Sequence, residues 1–326
     1  MIAVLSTQAR LLPSIDVSTR SRLLTAVAAG LVPASAALLT TSASADSTVV
    51  FTFADSAITE SSGLVTVGDL FVTVNDSGDS GRVFVVDGSG RTVGLTQWDG
   101  LPTDDEALAP ADGASVWVGD IGDNSRQRRT IQILKVPVGA VTQKATPTAY
   151  TLRYPTGSHN AEALLVHPVT GRVYIATKQV TGAALYAAPV TLRPDAVNPL
   201  TRIAPVTAIV TDGAFTADGT HVLLRTYGKI YLYGFPSMRL LGSALLPSQP
   251  QGEGLAVTAD HAIYLSSEGV NSAVLAYTLP PRLARLVAAG GRLDDAATAQ
   301  DAAPLLATLG WGAAAAAANA AGAALG

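Results

Sequence analysis

The chain has no cysteine, four lysines, two methionines and only 14% charged residues in a length of 326. Without cysteine there is no disulfide, no thiolate metal site and no cysteine nucleophile. The four histidines (His159, His167, His221, His261) are scattered. They show neither HxH nor HExxH spacing, so zinc is poorly matched. There is no GxSxG nucleophile elbow. The glycine-rich turns "VGDLFV" and "DGSG" lack the lysine of a phosphate loop. Basic residues form no stripe and the net charge is −4, so neither nucleic acid nor an anionic lipid surface is an expected partner. What is present is 48% hydrophobic sequence with 30 glycines, enough apolar material for a large core.

Residues 1–45 read as an export signal. Arg20 and Arg22 precede the apolar run "LLTAVAAGLVPASAALLTT", which ends in the small-x-small site Ala43-Ser44-Ala45, with Asp46 as the first mature residue. An uncleaved anchor helix is the other reading, and Pro33 inside the run argues against it. Loss of this segment leaves 18 basic against 24 acidic residues, a net charge of −6. A secreted or cell-surface location follows.

The middle of the chain repeats itself. "ESSGLVT", "DDEALAP", "NAEALLV", "TDGAFTA" and "QGEGLAV" begin at residues 60, 104, 160, 211 and 251. The steps of 44, 56, 51 and 40 residues match a four-stranded propeller blade. Each copy opens a short apolar strand, then a turn, then a strand of stronger β character. The fold class is therefore all-β, a five-bladed β-propeller over residues 46–281. Blade five supplies only three strands, and "STVVFTFADSA" (47–57) stands alone before blade one. Together they make one complete blade, so the N-terminal strand is expected to close the ring and remove its free sheet edges. Residues 282–326 form a helix-prone, then alanine-rich tail. Its last 24 residues carry no charge, which allows either a membrane anchor or a low-complexity tail. A monomer is expected.

In a propeller, the start of each innermost strand and the end of each second strand emerge on one face. Strand starts supply Ser62, Glu106, Glu162, Gly213 (with Asp212 before it) and Glu253. Second-strand ends supply Asn75, Asp76 and Asp79, then Asp120, Asp123 and Asn124, then Lys178, Arg225, Tyr227 and Glu268. Glutamates converging on one axis repel and need a cation or strong donors. An all-oxygen set of Ser62, Glu106, Glu162, Asp212 and Glu253 suits a hard cation such as Ca2+. Two other readings stay open. The glutamates could accept backbone N–H groups and pin the ring, or they could line a solvated channel mouth. Lys178 and Arg225 could hold an anionic group beside the metal, or neutralise the glutamates in a structural network. "NDSGD" and "GDIGDN" have calcium-loop composition without EF-hand spacing, and also read as Asx turns.

One inward Ser or Glu per blade resembles the calcium-activated nucleotidases (apyrases), five-bladed propellers whose inner residues run Ser, Glu, Glu, Ser, Glu around Ca2+. Ser62, Glu106, Glu162 and Glu253 match in type, and Gly213 departs. The repeats "NAEALL" and "QGEGLAV", with "VGDIGDN" and "LRTYG", are also similar to exported bacterial propellers related to phytase-like and esterase-like domains. Two functional classes follow. One is a cell-surface binding or scaffold module with a central Ca2+ site, taking a small-molecule, glycan or peptide ligand at Asn75, Asp76, Asp123, Asn124, Lys178, Arg225, Tyr227 and Glu268. The other is a Ca2+-dependent phosphohydrolase acting on nucleotides or other phosphate esters. Its candidate catalytic residues are Lys178, Arg225 and Asp120: a metal polarises the phosphoryl oxygen, basic groups hold the charge, and a carboxylate takes the proton.

Overall fold

A computed structural model describes residues 46–290, apart from Ser77. The export signal at 1–45 and most of the alanine-rich tail lie outside the described residues. The described chain is a five-bladed β-propeller. The innermost strands are Ser61–Val67, Asp105–Pro110, Ala161–Val166, Asp212–Phe215 and Gly252–Val257. Each blade then runs outward by antiparallel neighbours.

The ring closes as the strand count demands. Ser47–Thr52 pairs antiparallel with Ala273–Tyr277, from Ser47 opposite Tyr277 to Thr52 opposite Ala273. It is the outer strand of blade five, so the first and last strands of the propeller belong to one sheet. Two short strands were not expected from the sequence. Thr142–Lys144 adds in parallel to the outer strand of blade one, Thr92–Gln97. Asn198–Pro199 adds in parallel to the outer strand of blade two, Thr148–Arg153. Each comes from a connection in the following blade and covers an edge that would otherwise present unpaired backbone groups.

Apolar side chains are gathered in five layers, one between each pair of neighbouring blades. Phe51, Phe53, Leu64, Phe84 and Val274 fill the layer between blades five and one. Val65, Val74, Leu108 and Val136 fill the next. The pattern continues around the ring to Leu232, Leu255 and Leu265 between blades four and five. The innermost strands touch one another, and there is no room to spare. A Cβ added at Gly63 would lie 2.4 Å from the backbone nitrogen of Leu108 in blade two.

After Pro280 a helix, Pro281–Ala288, begins with proline at its first position, where no backbone donor is required. Its buried Leu283 and Val287 join the layer between blades four and five. This helix is packed on the propeller body.

Candidate functional site

The second-strand ends do face the starts of the inner strands. Ser61 pairs with Asn75, Asp105 with Asp120, Ala161 with Thr177, Asp212 with Arg225 and Gly252 with Ser267. The candidate polar residues therefore share one face, and it is an acidic one.

In four blades the inner strand is bulged at the ring residue. Ser62 lies between paired Ser61 and Gly63 with no partner of its own. Glu106 and Glu162 do the same in blades two and three, and Glu253 with Gly254 in blade five. A bulge adds an unpaired residue and re-aims its side chain. Blade four has no bulge: Asp212, Gly213, Ala214 and Phe215 pair in unbroken register. The departure at Gly213 is thus one of backbone as well as of side chain.

Glu106, Glu162 and Glu253 are all buried. Burial, then the charges of Glu162, Asp76 and Asp104, push the pKa of Glu106 up to about 11, with Lys178 opposing. Burial raises Glu162 to about 7 against the pull of Lys178. Burial and then Glu162 raise Glu253 to about 8. Oε2 of Glu253 has no hydrogen-bond partner although the residue is only 2% exposed. The hydrogen bonds given to Glu106 and Glu162 come from side chains, from Ser62 Oγ and Asn160 Nδ2, both at 3.5 Å.

Asp212 is such an acceptor. Its Oδ1 accepts the Gly213 N–H at 2.7 Å and its Oδ2 accepts the Leu255 N–H of blade five at 2.6 Å. Both carboxylate oxygens are thereby engaged by backbone, and the side chain is fully buried. Burial, against these two hydrogen bonds, holds its pKa well above the carboxylate range. Asp212 stitches blade four to blade five.

Arg225 lies beside it, fully buried. Its Nη1 donates to the carbonyls of Gly254 at 2.6 Å and Ser266 at 2.9 Å, and its Nη2 to Gln249 Oε1 at 2.6 Å. Burial lowers its pKa to about 10, while Glu253 and Asp212 favour the charge. A strand-end position gave the face correctly but not the depth. The guanidinium points into blade five, away from any ligand on the surface.

Lys178 is the cation that reaches the ring. Its ammonium pairs with Glu162 Oε2 and donates to the Tyr227 hydroxyl at 2.8 Å, and it sits 5.0 Å from the Tyr227 ring centre. Burial works against its charge, but Glu162 and Glu253 outweigh it and raise its pKa.

Several other candidates hold loops together. Asn75 Oδ1 accepts the N–H groups of Thr59 and Glu60, and its amide donates to Ala57 O and Asp79 Oδ2. Asp120 Oδ1 accepts the Asp104 N–H at 2.9 Å and pairs with Arg128 at 2.7 Å. Asp123 accepts the N–H groups of Gln127 and Arg128, four and five residues on, and so holds the loop that follows "GDIGDN". Asn124 Oδ1 accepts from the Asn160 amide. Glu268 Oε1 accepts from the Gln251 amide at 2.6 Å.

Among the described residues, one tight acidic group forms where blade one meets blade two. One oxygen each from Asp76, Asp104 and Glu106 lies within 4.8 Å of the others. This cluster could hold a metal ion, and its all-oxygen donors match a hard cation. The floor is shaped to leave the carboxylates room. A Cβ at Gly122 would lie 2.3 Å from Asp104 Oδ2 and 2.5 Å from Glu106 Oε1. Ser62, expected as a ligand, donates to the Glu106 carbonyl at 2.8 Å and lies 3.5 Å from Glu106 Oε2, with its lone pairs still available. Asp104 was not expected among the ligands. The acidic triplet Asp104-Asp105-Glu106, opening an inner strand, is the signal that marks it.

No family model matches the chain, and no curated protein matches it. Among solved structures it is similar to a gluconolactonase from Xanthomonas campestris. That match has 12% identity and a TM-score of 0.44, and it covers 72% of this chain and 90% of that one. At that score the likeness carries nothing about activity.

Proposed function

We propose that the protein is an exported Ca2+-binding propeller that presents a ligand-binding face, rather than a phosphohydrolase. The observation that carries this reading is the carboxylate triad Asp76–Asp104–Glu106, with oxygens within 4.8 Å of one another and Glu106 buried. Three carboxylates so close cannot all stay ionised without a compensating charge. A bound divalent ion supplies that charge. Asp76, Asp104 and Glu106 would hold it, and Ca2+ accepts 6–8 oxygen ligands, so three carboxylates leave positions for ligand oxygens.

The surroundings favour a neutral, oxygen-rich ligand such as a glycan. Tyr227 is 41% exposed next to Lys178, and offers an aromatic surface beside the ring. The phosphohydrolase reading, and the apyrase resemblance behind it, needs cations free to hold phosphate. Arg225 is committed to carbonyls of blade five and Lys178 to Glu162 and Tyr227. Asp120 is committed to the Asp104 N–H and Arg128.

Export is supported by the apolar run and small-x-small site before Asp46 and by the acidic balance of the remainder. Among the described residues no helix is long and apolar enough to cross a membrane.

The test is a glycan-binding screen with Ca2+ and with EDTA, run beside hydrolysis assays on nucleotides and phosphate monoesters. Ca2+-dependent glycan capture, lost in Tyr227→Ala, is the expected result. Ca2+-dependent release of phosphate, lost in Lys178→Met, would reverse the choice between binder and enzyme.

A further inference from the structure

The disc has a second face, and it carries a wide cavity. The inner strands end at Val67, Pro110, Val166, Phe215 and Val257. The turns that follow surround a funnel of about 980 Å³. It shares none of the ring carboxylates described above. Its volume lies at the upper end of the range for small-molecule sites, roughly 300–1,000 Å³.

The funnel is graded in chemistry. Its deeper wall is aliphatic, from Val65, Leu108, Leu164 and Leu255. Aromatic rings line it as well: Trp117, His167 and Phe215 around the ring, and on the blade-five and blade-one side Phe71 and Tyr264, which meet edge to face with centres 5.0 Å apart. At the mouth it is acidic, from Asp69, Asp112 and Asp260. All three are exposed; Asp112 is paired with Lys135, while Asp69 and Asp260, the latter accepting the Thr258 hydroxyl, carry no ion pair to Lys or Arg among the described residues and lie on the turns that flank the Phe71–Tyr264 pair. Among the described residues lining the funnel there is no Lys and no Arg.

We propose that this funnel binds an amphiphilic amine: an apolar body against the aliphatic wall, and an ammonium at the mouth between Asp69 and Asp260. The charge complementarity decides the class. Exposed carboxylates, with no lysine or arginine in the lining and His167 as its one imidazole, repel a fatty acid or a phosphate, and aromatic rings beside carboxylates favour a cation. An apolar wall alone would take any hydrophobe; the acidic, aromatic mouth selects among them.

The test is calorimetric titration of the full-length protein with n-octylamine, n-octanol and octanoate at neutral pH and low salt. Octylamine should bind at least about tenfold more tightly than the other two, a difference of ~1.4 kcal/mol. The Asp69→Asn/Asp260→Asn double variant should bring octylamine down to the level of octanol and leave octanol unchanged. Both positions are exposed, so the variant should fold, and an unchanged melting temperature checks it. Val166→Phe, which narrows the funnel without touching the acids, should weaken octylamine and octanol together. No measurable octylamine binding, a preference for octanoate, or octylamine binding that the double variant leaves intact would each overturn the proposal. Octanol binding as tightly as octylamine would also overturn it, and would point to a neutral occupant such as the uncharged segment 303–326 or a second copy.

Discussion

Gly122 and Arg225 show how single residues divide the labour on the acidic face. Gly122 has no side chain because the carboxylates of Asp104 and Glu106 occupy the space. Gly122→Ala should therefore weaken Ca2+ binding by tenfold or more in a calorimetric titration, with little change in the far-ultraviolet circular dichroism. An unchanged affinity would place the ion elsewhere. Arg225 is a buried staple whose donors satisfy two carbonyls of blade five. Arg225→Met should lower unfolding free energy by about 3–5 kcal/mol, the usual cost of removing one partner from a buried charged network. Urea denaturation measures it, and a loss below about 1 kcal/mol would contradict the role. In the sequence Arg225 was visible as a break in a strand pattern, and Gly122 only as part of the turn "GDIGDN". Their roles were not, because spacing fixes which face of a strand end a residue occupies but not whether it turns inward or outward. The same limit hid the double backbone engagement of Asp212.

At the scale of elements, the blades were legible because each repeats an apolar strand, a turn and a β-rich strand at a nearly constant period. The closing strand was legible by counting: three strands at one end and a spare at the other. Its anchor is Phe51, packed 4.9 Å from Phe71 and 5.6 Å from Phe53 between blades five and one. Phe51→Ala should cost about 3–5 kcal/mol and reduce the cooperativity of urea unfolding, since it loosens the one sheet that joins both ends of the ring. A loss within about 0.5 kcal/mol, as at an ordinary surface site, would contradict ring closure through this strand. The parallel strands Thr142–Lys144 and Asn198–Pro199 were not legible. They are two or three residues long, polar or proline-containing, and their pairing is decided by the neighbouring blade's edge. The four bulges were equally hidden. A bulge is a mismatch between two strands and leaves no mark in either strand alone.

Across the whole molecule, the acidic face gathers more carboxylates than cations, and that imbalance governs its response to pH and ions. Glu162 and Glu253 are raised to about 7 and about 8, from an ordinary value of 4.5. Between pH 4.5 and 8 the unfolded chain has released these protons while the folded protein keeps them. The folded state then binds more protons, so stability must fall as pH rises through this window. In EDTA, the melting temperature should decline from pH 5 to pH 8. On the proposed function, Ca2+ should reduce that decline, because an ion held only by the folded form stabilises it by mass action. A melting temperature that rises from pH 5 to pH 8 in EDTA would contradict burial of these two groups.

The central claim is that one ion sits where blade one meets blade two, held by Asp76, Asp104 and Glu106. Its most direct test is a calorimetric Ca2+ titration of the EDTA-stripped protein, repeated for Asp104→Asn and for Glu253→Gln. One ion per chain, an affinity reduced at least about tenfold by Asp104→Asn, and little change in Glu253→Gln are predicted. An affinity lost in Glu253→Gln and kept in Asp104→Asn would put the ion on the propeller axis, and no binding in any of the three proteins would remove it from the account altogether.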